Sequence, residues 1–332
     1  MAADVHETRL LDTAAGLRRI TEAGAVAAAE WIGAGVEHKN DADQAAVDAM
    51  DAALIQETSG SSLTGVIVKI GEGEKDEAPL LRHGKFYGRE GARRLGGYVL
   101  DLAVDPVENT TSVATGQEGG MTIAALGERG SFPSWLGVAY MRKLIVGPGV
   151  PAALMDEGVI GLDRHPSDNM TEVAQALDIP LSELRVAVLD RKRNEAIIQA
   201  AQDLGVQLTL LQRGDVLPAM QVCLEDGTMD MVYGSGGAPE GVISAVLAAC
   251  TGGNMQGMWD PQTHDEEFLL EAMGQLGHIK HLKQLVGTGE LHFAATGITD
   301  STRDERPLLR GCRKVGGTWL PTDTIVASRQ HE

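Results

Sequence analysis

Apolar positions fall near helical spacing through residues 13–35, TAAGLRRITEAGAVAAAEWIGAG. This predicts a helix closed by Gly33 or Gly35. A second helix is expected from about Asp43 to Thr58, followed by a Gly-Ser break at 59–62. The run GVIVKIGEGE (65–74) reads as a short β-branched strand ending in glycines and acids, and GGYVLDLAVDP (96–106) repeats that pattern. MTIAALG (121–127) and KLIVGPGVP (143–151) predict further strands. Beyond the Gly-Pro-Gly-Val-Pro at 147–151 the texture alternates. Helices are expected at 169–178 and 192–205, strands at 184–190 and 206–212, and a strand, glycine loop and helix over 229–250. A helix over 264–285 and a strand over 291–299 complete the pattern. The reading is an α/β protein with halves 1–147 and 148–332 forming one compact unit. Loops should gather at strand ends, where ligands bind in such folds.

Composition narrows the classes of function. A chain of 332 residues makes one large or two intimate domains. With 28 basic and 47 acidic residues, its net charge of −19 speaks against nucleic acid and anionic membrane as partners. It speaks equally against anionic substrates unless some carboxylates hold cations. Glycine reaches 41 residues, as suits the tight turns of α/β enzymes. Cys223, Cys250 and Cys312 are sparse and far apart, which reads as reduced thiols. The N-terminal stretch lacks an apolar core, and no segment nears the ~18 apolar residues of a membrane span. A cytoplasmic location is expected.

Four clusters carry chemistry. Lys39-Asn40-Asp41-Ala42-Asp43 precedes a helix, and read alone Asp43 is its N-cap. Gly71-Glu72-Gly73-Glu74-Lys75-Asp76-Glu77 follows a strand. It reads either as a solvated turn or as oxygen ligands for Mg²⁺ or Mn²⁺. Asp105-Pro106-Val107-Glu108-Asn109-Thr110-Thr111 lies at another strand end. Asn109 sits where the chain calls for positive φ, which Asn tolerates, and Thr110-Thr111 can open a helix. Gly234-Ser235-Gly236-Gly237-Ala238-Pro239-Glu240-Gly241 leads a glycine loop into a helix with an acid in its first turn. Each has an ordinary structural reading. Acids at several element ends together favour a metal site.

These segments resemble the bacterial class II fructose-1,6-bisphosphatases, within the lithium-sensitive, metal-dependent sugar and inositol phosphatases. The resemblance is carried in order by KNDADQAAVDAM (39–50), IGEGEKDEAPLL (70–81), DLAVDPVENTT (101–111), YMRKLIVGPG (140–149), LSELRVAVLDRKRNEAII (181–198), DMVYGSGGAPEGVISA (230–245) and ATGIT (295–299). It implies a layered αβαβα sandwich and hydrolysis of a sugar bisphosphate in carbohydrate metabolism. It implies metal ligands at Asp43, Glu72, Asp105, Glu108 and Glu240, taking Mg²⁺ or Mn²⁺. Glu74 and Asp76 would be nearby acids, with Asp76 helping position or activate the attacking water and Thr110 orienting it, and Lys39 would neutralise charge nearby. Asn109, Tyr140, Arg191, Lys192, Arg193, Arg213, Gly214, Asp215 and Gly237 would contact the sugar or a phosphate of the substrate. A homo-oligomer, dimer or tetramer, is also implied.

The chain departs from the family at recognisable places. Asn109 stands where the family usually has Gly, Arg191 where it has Lys, and Lys192 where Pro is common. Arg213 stands where the family has an acid, and 258–290 matches weakly. The ligand set is retained while the sugar-recognition set has changed. The substrate is therefore expected to be fructose 1,6-bisphosphate or a relative such as sedoheptulose 1,7-bisphosphate. Alternatives are a specialised-pathway sugar phosphate, a non-catalytic phosphosugar-binding homologue, and an inositol-type monophosphatase, against which the GEGE and GGAPEG segments weigh. His278 and His281 read as surface or helix-end residues, and the arginines at 89–94 as a solvated helix face. Trp31, Trp135, Trp259 and Trp319 read as core or interface, and no cysteine as a nucleophile.

Overall fold

The computed structural model describes residues 2–59, 65–71, 80–88, 98–133, 137–224, 228–303 and 306–330. In chain order the elements are α1 (Ala2–Ala29), α2 (Lys39–Ser59), β1 (Gly65–Ile70), β2 (Phe86–Gly88), β3 (Leu100–Glu108), α3 (Thr110–Thr115), β4 (Met121–Glu128), β5 (Tyr140–Val146), α4 (Ala152–Asp156), α5 (Pro166–Ala176), β6 (Arg185–Leu189), α6 (Glu195–Leu204), β7 (Gln207–Leu211), α7 (Val216–Cys223), β8 (Met231–Gly237), α8 (Ala238–Thr251), β9 (Asn254–Trp259), α9 (His264–Ala272), β10 (Lys280–His281), α10 (Leu282–Val286), β11 (Leu291–Gly297), β12 (Ser301–Arg303), β13 (Arg306–Leu309), β14 (Arg313–Val315), β15 (Thr318–Leu320) and β16 (Thr324–Arg329). The expected α/β class is the observed one.

The chain divides into two compact units, Met1–Phe132 with Thr288–Glu332, and Pro133–Gly287. This differs from the expected boundary at 147/148. The Gly-Pro-Gly-Val-Pro turn closes β5, which pairs with β8 and β9 of the second unit. Chain after Gly287 returns to the first unit because β11 pairs with both β4 and β16.

In the first unit the described strands form a sheet in the order β16-β11-β4-β3-β1-β2. Only β1 and β3 run parallel within it. Leu17 and Ile20 of α1, and Val47, Met50 and Leu54 of α2, recur every three to four residues and are buried. They pack on alternate residues of the sheet, Val66, Val68, Leu102 and Val104. Truncating Leu54 to Ala would cost about 2–5 kcal/mol by this packing. Arg19 of α1 adds a two-pronged bond to Glu57 of α2, both 2.7 Å.

In the second unit the order is β10-β9-β5-β8-β6-β7, with β6 parallel to β7 and β8. Leu144, Val146, Val186 and Val188 meet Met170 and Val173 of α5 and Ile197 and Ala201 of α6. Alternation along β5 turns Met141 and Lys143 to the other face, against the first turn of α8.

Some elements differ from expectation. The expected helix over 264–285 is broken, because Gly274 and Gly277 take φ of 63° and 68° and end α9. His281 caps α10 in a reciprocal capping box, a helix-end role as expected. The second helix begins at Lys39, earlier than expected, so Asp43 lies within α2 and is not its N-cap.

Candidate active site

In the first unit the acids of the third cluster end β3. Along the β3–β4 pairing Asp105 faces Ile123 and Glu108 faces Met121, so three steps on one strand oppose two on the other. Strand alternation alone would send residues three apart to opposite faces. The bulge reverses that parity, and oxygens of Asp105 and Glu108 come within 4.8 Å of each other. Asp105 Oδ1 also accepts from the Val107 N–H at 3.1 Å, and Glu108 is buried. Thr122 Oγ1 donates to the Pro106 carbonyl at 2.8 Å and fixes the turn.

Asn109 takes φ 63° and ψ 49°, the left-handed conformation expected of it. Its Nδ2 donates to the Gly119 carbonyl at 3.1 Å, so the side chain is anchored. Its own carbonyl accepts from the Ser112 and Val113 N–H groups at 2.8 and 3.3 Å. Asn109 thereby starts α3, and Thr110 is its first residue, half-buried. Lys39 is exposed at the start of α2, and Asp43 is half-buried one turn later. Glu72, Glu74 and Asp76 lie outside the described residues.

In the second unit β8 runs through Gly234, Ser235, Gly236 and Gly237 directly into α8, with Gly237 as N-cap and Glu240 in the first turn. Gly237 has φ −58° and ψ 138°, which any residue can adopt. Its missing side chain answers a different need: a Cβ there would strike the Glu240 carboxylate. A Cβ on Gly236 would likewise strike Asp215 Oδ2. Among the described residues Glu240 Oε2 is buried with no hydrogen-bond partner. Burial pushes the Glu240 carboxyl up, the Asp215 carboxylate adds to this, and the Lys143 ammonium opposes it. A buried carboxylate oxygen without a donor suits a cation. Carboxylate oxygens of this kind suit a hard divalent ion.

The expected sugar-contacting residues divide. Arg193 stacks over Tyr140, its Cζ 4.1 Å from the ring centroid, and its Nε donates to the Ser235 carbonyl at 3.2 Å. Tyr140 in turn pairs in register with Gly237, so these three residues come together. Arg191 is exposed, with its guanidinium on the carbonyls of Asp190 and Gln212 at 2.6 and 2.7 Å. Lys192 and Arg213 are exposed, and Gly214 takes φ 62° where the chain enters α7. Asp215 is buried and ion-paired with Lys143 at 2.7 Å.

Two residues were missed by sequence reasoning. Lys143 is buried within β5 directly after Arg142, and the adjacent basic pair does not show which of the two is enclosed. Asn194 is buried and bridges the β8 backbone: its Oδ1 accepts from Ser235 N–H at 2.7 Å and its Nδ2 donates to Ser235 O at 3.1 Å. No pattern in the sequence marks that role. Burial pushes the thiols of Cys223 and Cys312 up to about 12, in keeping with no nucleophilic part for either.

Among the described residues no helix is long and apolar enough to cross a membrane. The family described as bacterial fructose-1,6-bisphosphatase, glpX-encoded, matches residues 12–332. Fructose-1,6-bisphosphatase 1 class 2 of Escherichia coli (strain K12) is 39% identical over 322 residues, spanning 93% of this chain and 88% of that protein. Fructose-1,6-bisphosphatase class 2 of Shigella flexneri matches with the same identity and coverage. With the carboxylate-bearing junctions retained in a match of this length, the chain belongs to the bacterial, glpX-encoded fructose-1,6-bisphosphatase family.

Proposed function

We propose that this chain is a phosphoric monoester hydrolase that removes the 1-phosphate of fructose 1,6-bisphosphate, using Mg²⁺ or Mn²⁺. The observation that carries the reading is the pairing of a near full-length family match with a buried carboxylate oxygen on Glu240 that lacks a donor. Asp43, Glu72, Asp105, Glu108 and Glu240 would hold the ions. When bound, these supply the positive charge that a phosphate dianion needs before it accepts a nucleophile, and they lower the pKa of water.

The protein's own groups do the rest. Asp76 helps position or activate the attacking water, with Glu74 a nearby acid, and the Thr110 hydroxyl orients that water at the start of α3. Lys39 offsets excess negative charge. Tyr140 and Arg193, already stacked, with Gly237 beside them, receive the sugar and its retained phosphate. Arg191 and Lys192 add positive charge at that end, and Gly214 and Asp215 complete it. The anchored side chain of Asn109 supports retained chemistry over decay, since it holds the backbone angle without a glycine.

A second reading concerns the substrate. Arg213 is exposed just before α7, where the family has an acid, and this favours a longer ketose bisphosphate such as sedoheptulose 1,7-bisphosphate. The enzyme is read as a cytoplasmic homo-oligomer, dimer or tetramer. The test is phosphate release from both bisphosphates with Mg²⁺ and Mn²⁺. It should vanish with EDTA and in Asp105→Ala. Release that survives the chelator overturns the reading. In Asn109→Gly, a large gain on fructose 1,6-bisphosphate would instead mark the chain as a decayed, phosphosugar-binding homologue.

A further inference from the structure

Among the described residues Lys143 is one of the largest fully buried side chains, with 1% of it exposed. Desolvating an ammonium is costly, and an apolar side chain of similar size would fill the space without that cost. The bonds made by Lys143 show what the charge does. Its Nζ lies 2.7 Å from Asp215 Oδ2, at the start of α7, and donates to the Gly237 carbonyl at 3.0 Å. A Cβ built on Gly241 would lie 3.7 Å from the same nitrogen, which places the ammonium under the first turn of α8. One group therefore ties β5, the entry to α7 and the junction of β8 with α8.

Two carboxylates pack closely against the glycines of that junction. The Glu240 carboxylate fills the place of a Gly237 side chain, and Asp215 Oδ2 fills that of a Gly236 side chain. A shift of the Gly237 peptide moves the carboxylate packed against it.

We infer that Lys143 is a positioning residue, whose ammonium holds the β8–α8 junction in the form that presents the Glu240 carboxylate to a divalent cation. The inference rests on the reading of Glu240 as a metal ligand. Asp215, on this view, serves first as the partner that keeps Lys143 in place.

The test uses the full-length protein and calorimetric titration with Mn²⁺ in the absence of substrate, beside thermal melting and kcat and KM on fructose 1,6-bisphosphate. Glu240→Gln identifies the Mn²⁺ step that depends on Glu240. The double variant Lys143→Met with Asp215→Asn removes both buried charges together, so neither is orphaned. That step is expected to weaken at least about tenfold, with kcat falling in parallel and melting near wild type. Asp215→Asn alone keeps the Lys143 bond to Gly237 but removes the ion partner that holds the ammonium, so the step should weaken, by less than in the double variant. A folded double variant with wild-type Mn²⁺ affinity overturns the inference. If the double variant does not fold, Gly236→Ala displaces Asp215 from the other side, and unchanged Mn²⁺ affinity there overturns it as well. If Glu240→Gln itself binds Mn²⁺ as wild type does, Glu240 is not a ligand, and that reading falls together with the inference.

Discussion

At the end of β3 the chain turns into α3 through Asn109 with φ 63°, whereas at the end of β8 it turns into α8 through Gly237 with φ −58°. Both junctions deliver an acid, yet the constraints differ in kind. The first needs a left-handed residue and has room for a side chain, so Asn serves, with its amide held by Gly119. The second needs no unusual angle. It needs empty space, because the Glu240 carboxylate occupies the position of a Cβ. Glycine is thus kept at one site for volume, while at the other its conformational freedom is replaced by Asn.

The sharpest way to break this comparison is Gly237→Ala. The angle suits alanine, so melting should change little, while displacement of Glu240 lowers phosphate release by about 100-fold. Wild-type activity would show that the carboxylate has room to move. Asn109→Ala should do the reverse. It loses a left-handed-tolerant residue and one hydrogen bond, costing about 1–2 kcal/mol of stability in a denaturant titration. Asn109→Gly is expected to fall between these, since glycine accepts the angle and only the Gly119 bond is lost, roughly 1 kcal/mol or less.

A smaller effect, away from both turns, calibrates the scale. The Arg310 guanidinium holds the Asp323 carboxyl below its ordinary range, through bonds of 2.8 and 2.9 Å. A depressed carboxyl contributes stability above its unfolded pKa and loses it as pH falls through the folded value. Asp323→Asn should therefore melt slightly lower than wild type at neutral pH. The difference should close as pH drops below the usual aspartate range. A gap that persists in acid would assign the effect to shape.

Much of this was legible in the sequence, for physical reasons. α1, α2 and α8 carry apolar residues at three- and four-residue spacing, and β4, β6 and β11 are short apolar runs bounded by turns. β9 was missed because Asn254, Gln256 and Gly257 weaken its strand character, although β5 supplies a full ladder. The strands β12–β16 were missed because charged and turn-forming residues dominate 300–330. The positive φ of Asn109 was readable from residue type and place. The bulge between Asp105 and Glu108 was not, because it depends on the partner strand. Nor was the burial of Lys143, which depends on the start of α7, more than seventy residues away.

The order of pairing in the first sheet bears on how the chain is made. β11 lies between β4 and β16, yet it follows β4 only after the whole of Pro133–Gly287. During synthesis β4 has its inner neighbour β3 but waits roughly 150 residues for the outer one. At ribosomal speed that is on the order of ten seconds. The second unit, continuous in sequence, is complete before the first can close. A nascent chain halted before residue 288 would present the β4 edge to any other extended strand, which makes early termination the aggregation-prone event in its biogenesis.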